Sequence, residues 1–441
     1  MKATLRYALI WLALPGLLPA SESEQAVTLQ ADPQLEAAIN YSLTLSGRLL
    51  TPSDSGEQSF DLKSAGTFNF TDRSRPTDLG GPFTVRAVRE FAEAGTTTTV
   101  GKDHTTSVSL ASAYRIIHVF GSDTGLISVA PRHPLPRKQL DLLQMPFDPR
   151  ACDFLLPVAS VAVGDRWNTE AWVVPMLTGT DVVVSQQATC ELKSLTDEEA
   201  TISVTGKIEG ATLGSVTNVD FSGTLVFDRQ ARVLRSLDLV QQEKRSAGPV
   251  SPGLDVTAKI SWQQKPSDSA ASEVSIDERP TEAQKLILLQ TPLKLQLLHS
   301  REWHLFHETP NVIMLRQLRD GNLISQCNIS HTVTVPPGQH TSDQEFTADV
   351  KAAVADRKGR VIAEDTIRND AAWRMRHVRA VGQADQEPII WDYYLCTAAS
   401  GHQFSLVFSH SKRDEEAFGD SAQQILNRIQ PVRRRPALPF R

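Results

Sequence analysis

The chain has 441 residues, 40% of them hydrophobic and 22% charged, with a formal net charge of −6. That length exceeds what one core supports, so two or three domains are expected, and the composition is that of a globular rather than a disordered protein. The acidic balance is unlike that of a nucleic-acid binder, which carries a basic domain or stripe.

The N-terminus reads as a secretory signal peptide over residues 1–20. Lys2 and Arg6 precede and flank an apolar run from Tyr7 to Leu14, and the segment closes on Leu17-Leu18-Pro19-Ala20. Cleavage is expected after Ala20, with Ser23 as the second choice. Pro15 interrupts the run, which falls short of the ~20 residues of a spanning helix; a retained membrane anchor is the competing reading. Loss of Lys2 and Arg6 takes the net charge from −6 to −8. No later stretch is apolar enough to span a bilayer as a helix. The mature protein is therefore expected to be exported and soluble, in the periplasm or outside the cell, with no transmembrane anchor after processing.

Residues 24–263 read mostly as strands. Ile39, Tyr41, Leu43 and Leu45 alternate with Asn40, Ser42, Thr44 and Ser46, and the same period of two returns over Val219–Phe227 and Val256–Trp262. Phe227 to Val233 reads as a hairpin turn, and Leu135 to Met145 as a helix. In Val163-Gly164-Asp165 a tight turn is expected, with Trp167 packing on the sheet. One-sided alternation predicts a large antiparallel sheet whose apolar face needs a cover: a helix, the sheet curling on itself, or a ligand.

The Ser-, Asp- and Ala-rich stretch within residues 264–282 reads as a linker. Residues 283–431 mix elements. Ser342-Asp343-Gln344-Glu345 is a capping box opening a helix, and Gly359 stands where its C-terminal cap is expected. Strands are expected at 360–366, 373–381, 389–396 and 403–409, then a closing helix from Asp414 to Ile429. The predicted class is α+β: a large curved antiparallel sheet followed by an α-β-α sandwich. Residues 432–441, with Arg433, Arg434, Arg435 and Arg441 among prolines, read as a basic disordered tail.

Cys152 and Cys190 fall in the first domain, Cys327 and Cys396 in the second. An even count in an exported chain supports disulfides. Bonds kept within each domain select Cys152–Cys190 and Cys327–Cys396 from three connectivities; two pairs of buried free thiols are the alternative. His304 and His307, with Glu302 and Glu308, are the densest group of potential metal ligands. A regular strand would turn positions three apart to opposite faces, so no metal site is expected. Ser409 and Lys412 have the spacing of some acyl-transfer serines but lack the helix start and supporting motifs. Asn40, Asn69 and Asn328 match the glycosylation acceptor pattern, which strand alternation also produces by accident. No catalytic residue and no cofactor-binding residue is assigned.

Leu156-Pro157, Val163-Gly164-Asp165, Trp167, Gly223-x-Leu225-x-Phe227-Asp228 and Leu237-x-Leu239 resemble uncharacterised exported proteins of planctomycete-type bacteria. Over residues 35–262 their curved sheets are similar to the LolA/LppX-like lipoprotein-carrier fold. Trp303, Leu315-Arg316, Gly321-Asn322-Leu323-Ile324, the helix from Ser342, Tyr393-Tyr394 and the closing helix resemble the Mog1/PsbP-like α-β-α sandwich. The first resemblance implies a half-barrel holding a lipid or other apolar ligand, the second a non-catalytic domain that contacts an envelope protein partner. The expected function is an exported, non-catalytic binding protein of the cell envelope. The alternatives are a purely structural or interaction protein, and a hydrolase whose site is assembled from distant residues.

Overall fold

The computed structural model describes residues 26–32, 36–53, 56–75, 81–267 and 274–431. The signal peptide with Ala20 and Ser23, the central part of the linker and the basic tail lie outside the described residues. Along the chain come the strands β1 (Glu36–Ser53), β2 (Gly56–Ser74), β3 (Arg86–Val100), β4 (His104–Ser109), β5 (Ile116–Ser122) and β6 (Gly125–Val129). A stretch of short elements follows: β7 (Leu135–Pro136), helices α1 (Arg137–Leu142) and α2 (Pro149–Cys152), β8 (Arg166–Asn168) and α3 (Val173–Thr178). Long strands then resume as β9 (Val182–Leu195), β10 (Glu199–Thr212), β11 (Ser215–Asp228), β12 (Val233–Arg245) and β13 (Gly253–Pro266).

These strands build one antiparallel sheet of twelve described strands, ordered β6-β5-β3-β2-β1-β13-β12-β11-β10-β9-β8, with β4 added on β3. It stays open, with β6 and β8 at its ends. The alternation read from the sequence is its physical basis. Ala37, Ile39 and Tyr41 are buried while Asn40 is exposed, and β10, β11 and β13 repeat the pattern. The hairpin at Phe227–Val233 forms as expected: Asp228 Oδ1 accepts from the Gln230 and Ala231 amides at 3.0 and 2.8 Å, a side-chain turn that reverses the chain.

The apolar face is covered by the chain itself. The helix expected over 135–145 shrinks to the six residues of α1. It lies in a cover running from about residue 130 to 181, whose Leu140, Leu142, Phe147, Val173, Val174 and Leu177 join the core formed by the strands. Phe147 is the centre of this cover. It is fully buried, its ring packs edge-on against Phe221 at 4.9 Å, and its carbonyl accepts from Trp262 Nε1 at 3.0 Å. Its amide donates to the Leu177 carbonyl, which helps hold a φ of 51° that L-residues rarely adopt. Tyr41 adds a hydrogen bond to the Pro146 carbonyl at 2.6 Å.

The remaining elements are α4 (Glu282–Lys285), β14 (Ile287–Gln290), β15 (Leu295–His299), β16 (Trp303–Glu308), β17 (Val312–Arg319), β18 (Asn322–His331), α5 (Asp343–Ala355), β19 (Arg360–Asn369), β20 (Trp373–Ala384), β21 (Glu387–Ala398), β22 (Gln403–Ser411), α6 (Glu415–Phe418), α7 (Ser421–Leu426) and β23 (Ile429–Pro431). Seven of them form an antiparallel sheet ordered β16-β17-β18-β22-β21-β20-β19. Helix α5 packs on one face through Phe346, Val350 and Val354. Ser342 caps it by accepting from the Glu345 amide at 3.2 Å. At its end the left-handed residue is Lys358 (φ 51°), not Gly359. Gly359 is required for space, because a Cβ there would lie 2.5 Å from the Cβ of Val354.

Two expectations fail here. The closing helix from Asp414 to Ile429 is broken at Gly419 (φ 50°), leaving α6, α7 and then a strand. The expected linker begins inside β13, where Gln264 is buried and its amide donates to the Leu234 carbonyl. The second half is thus a sheet with one long helix, and the protein as a whole is mostly β.

A four-stranded sheet ordered β23-β15-β14-β7 joins the two halves, with Leu135 and Pro136 pairing in parallel with Ile287 and Leu288. Arg301 donates to the Ser128 carbonyl at 2.7 Å, and Arg316 to that of Pro249. Gly214 meets Gly321 so closely that a Cβ on Gly214 would lie 2.5 Å from the Gly321 carbonyl oxygen. No helix among the described residues is long and apolar enough to cross a membrane.

Removing the Phe147 ring empties the middle of the covered core. Phe147→Ala is expected to cost about 3–5 kcal/mol, read as a fall in the denaturant midpoint with far-UV circular dichroism retained at zero denaturant.

Candidate functional site

A buried charge cluster fastens the cover to the large sheet. Asp72 on β2 stands directly opposite Arg89 on β3, and both side chains point into the core. Arg89 donates from Nε to Asp72 Oδ2 at 2.7 Å. It also grips Asp148 with both terminal nitrogens, at 2.6 Å each. Arg150 donates from Nε to the other oxygen of Asp72 at 2.7 Å and from Nη1 to Asp153 at 3.1 Å. Asp148 also caps α2, accepting from the Arg150 amide at 3.0 Å with Pro149 at the first helical position. The Arg89 guanidinium lies 5.0 Å from the centre of the Phe70 ring.

Burial alone would raise the Asp72 carboxyl, but the charges of Arg150 and Arg89 overcome it and hold Asp72 below its ordinary value. Asp153 has the weaker half of the arrangement: burial pushes it up to about 6, against the pull of Arg150. Each acid is tied to a guanidinium, and an arginine does not give up its proton. The cluster therefore holds two elements together, with Asp153, whose second oxygen has no partner, as its one weakly neutralised acid.

The polar face of the same sheet carries a shallow groove of about 430 Å³, lined by Gln187, Thr189, Thr205, Lys207, Asp220 and Gln242. Val240 and Phe221 also line it, so the groove is mixed in character.

In the second half, His377 bridges two carboxylates. Its Nδ1 lies 3.0 Å from Asp365 Oδ1 and its Nε2 2.8 Å from Asp392 Oδ1, and its ring stacks on Tyr394 at 4.5 Å. His410 donates from Nδ1 to the Ser411 carbonyl at 2.9 Å and stacks on Phe418, with its Nε2 3.9 Å from Asp392. Burial would raise Asp392, but the His377 hydrogen bond, the His410 ring and the charge of Arg379 bring it down to about 2. The bridge ties the edge strand β19 to the middle of the sheet.

The residues singled out from the sequence are scattered. All four cysteines are buried free thiols, which corrects the expected disulfides Cys152–Cys190 and Cys327–Cys396. Strand β22 separates Cys327 on β18 from Cys396 on β21, with Cys327 level with Phe408 and Cys396 with Phe404. Two strand spacings of about 4.8 Å already exceed the ~7 Å a disulfide allows between Cα atoms. The Cys152 thiol donates to the Phe147 carbonyl at 3.5 Å, and burial pushes Cys190 up to about 12. Both act as small core residues.

A β-bulge after Leu305 pairs His304 with Arg316 and His307 with Met314. Arg316 and Met314 are two residues apart, so the two imidazoles lie in phase rather than on opposite faces as regular alternation predicts. His307 is exposed while His304 is partly buried, and no group of three or more metal-ligating side chains gathers among the described residues. Ser409 lies within β22, and Lys412 begins a turn capped by Ser411, which accepts from the Asp414 amide. Asn40 pairs across β1 and β2 with Asn69, which donates to Glu93 at 2.9 Å. Gly164 takes the left-handed turn at φ 92°, and Trp167 donates to the Leu155 carbonyl at 2.8 Å.

The charge cluster was missed by sequence reasoning, although it left a signal. Asp72 continues the inward series Phe68, Phe70, and Arg89 sits between the inward Ala87 and Phe91. A charge in an inward phase needs a buried partner.

No protein-family model matches the chain, and no curated protein matches it. Among solved structures, lipovitellin is similar at 9% identity with a TM-score of 0.30, over 58% of this chain. The chain spans 29% of the length of that lipovitellin chain. The translocator domain of the autotransporter NalP from Neisseria meningitidis is similar at 7% identity and a TM-score of 0.14, over 87% of this chain and 90% of its own. Pseudomonas aeruginosa OccK11 gives 8% identity and 0.13 over 88% and 99%. The likeness extends to β-richness alone.

Arg89→Met leaves Asp72 and Asp148 buried without their shared partner. It is expected to cost about 3–5 kcal/mol, measured by denaturant unfolding. The Asp392 carboxyl, depressed in the folded state, contributes stability that is present above its unfolded value near 4 and lost as pH falls through about 2. Wild type should therefore lose about 2 kcal/mol more than Asp392→Asn between pH 4 and pH 2, measured by chemical unfolding across that range.

Proposed function

We propose that the chain is an exported, non-catalytic binding protein of the cell envelope that acts through its surfaces, with the core of its large sheet closed by its own chain. The observation that carries this reading is the occupied apolar face: Phe147, Leu142 and Leu177 fill the space that a ligand would need. The charge cluster supports it further, since Arg89 and Arg150 are spent on fastening the cover through Asp72 and Asp148. Export rests on the signal peptide read in residues 1–20. A protein partner is assigned to the second half, in keeping with exposed Phe306, Leu323 and Ile362.

A second reading keeps the LolA/LppX-like resemblance and an apolar ligand such as a lipid. It is favoured by the make-up of the cover, whose helices have at most six residues and which is held by a polar cluster containing the weakly neutralised Asp153. On that reading the cover swings off the sheet and the ligand takes its place.

Native mass spectrometry separates the two. The mature chain, exported into a bacterial periplasm and purified without detergent, is expected to show the bare polypeptide mass. A mass excess matching an apolar molecule, released on denaturation, would reject the closed-core reading and establish carriage.

A further inference from the structure

The small sheet that joins the two halves also gathers cationic and imidazole side chains. Register brings them together: Leu135 pairs with Ile287, and Ile287 with His299. Arg137 follows directly on β7, Arg301 lies two residues beyond His299, and His304 is the second residue of β16. His299 is 1% exposed; its Nδ1 donates to the Ser300 carbonyl at 2.8 Å, and its Nε2 is buried without a partner. His304 Nδ1 is likewise buried and unpartnered. The Arg301 guanidinium is held by two main-chain carbonyls, Ser128 at 2.7 Å and Lys285 at 3.2 Å, which position its charge without neutralising it.

The groups feel one another. Burial, and after it the charge of Arg137, brings Arg301 down to about 10. His299 falls to about 4, through burial opposed by its Ser300 hydrogen bond and aided by Arg137. His304 falls to about 4, through burial, Arg137 and His299. Asp141 meets Arg137 at 2.9 Å from the solvent side. A buried charge without a counter-ion is costly, and an anion of matching size removes that cost.

We propose that this junction binds a small free oxyanion of the phosphate class, with Arg301 and Arg137 supplying charge and the unpartnered His299 Nε2 and His304 Nδ1 accepting from the hydroxyls of its dihydrogen form. The anion would bridge β7 of the first half to β15 and β16 of the second. This site is independent of whether the large sheet carries an apolar molecule.

The probe is inorganic phosphate, titrated calorimetrically into the mature chain at pH 6 in chloride buffer of constant ionic strength. Saturable binding is expected, together with a rise in Tm that sodium chloride does not reproduce. Arg301→Gln should abolish binding but risks misfolding. Arg137→Gln, at a partly exposed position, is therefore the second variant: it should keep its circular dichroism spectrum and bind phosphate at least about tenfold more weakly. Glycerol phosphate should bind more weakly than phosphate, because its ester carbon needs room in a buried junction. No saturable phosphate binding, unchanged affinity in folded Arg137→Gln, or preference for the ester would each overturn the proposal.

Discussion

The arrangement of the first half depends on one guanidinium. Arg89 faces Asp72 across two strands and grips Asp148 with its remaining nitrogens, so a single side chain couples the sheet to the segment lying on it. Dispersion and apolar burial hold the cover against the sheet without fixing where it sits, because they are non-directional. The paired hydrogen bonds to Asp148 supply direction. They place Pro146 and Phe147 under Tyr41 and Trp262, and the main-chain bonds of Phe147 follow from that placement. Such a buried network adds little net stability over an apolar core of the same shape, yet losing one member is expensive. Its contribution here is register.

The joint between the halves works differently. Its contacts lean on the main chain: a parallel strand pair, carbonyls accepting from the Arg301 and Arg316 side chains, and a glycine-to-glycine approach at Gly214 and Gly321. A side chain at Gly214 would push the two surfaces apart. Backbone contacts of this kind are short-range and shape-specific, and with Ile287 reaching into the first half's core they fix the orientation in which the halves meet.

Much of the fold was legible because alternation is a strong signal wherever one face is buried. Ile39–Ser46, Val219–Phe227, Val256–Trp262 and the Asp228 turn all follow from residue type, as do the capped helix α5 and the strands after it. The failures have identifiable causes. The buried side chains of residues 130–181 follow no period, so their role as cover was invisible to a reading that relies on one. The closing helix carries a helical stripe, but Gly419 adopts a conformation that ends it. Paired cysteines were read through compartment and count, whereas strand order sets their separation. The charge cluster joins residues as far apart as Asp72 and Asp153, and only the inward phase of Asp72 and Arg89 hinted at it.

The pairing of β1 with β13 has a kinetic consequence. Ala37 to Leu50 lie against Gly253 to Pro266, so the middle of the large sheet joins segments more than two hundred residues apart in the chain. Contacts of that separation close slowly, because loop entropy must be lost before any pairing energy is gained. Until β13 is available, β1 presents a long unpaired edge, and such edges recruit other chains. The chain thus passes through its most association-prone state late in folding. Yield on refolding should be governed by protein concentration more than by the stability of the finished sheet.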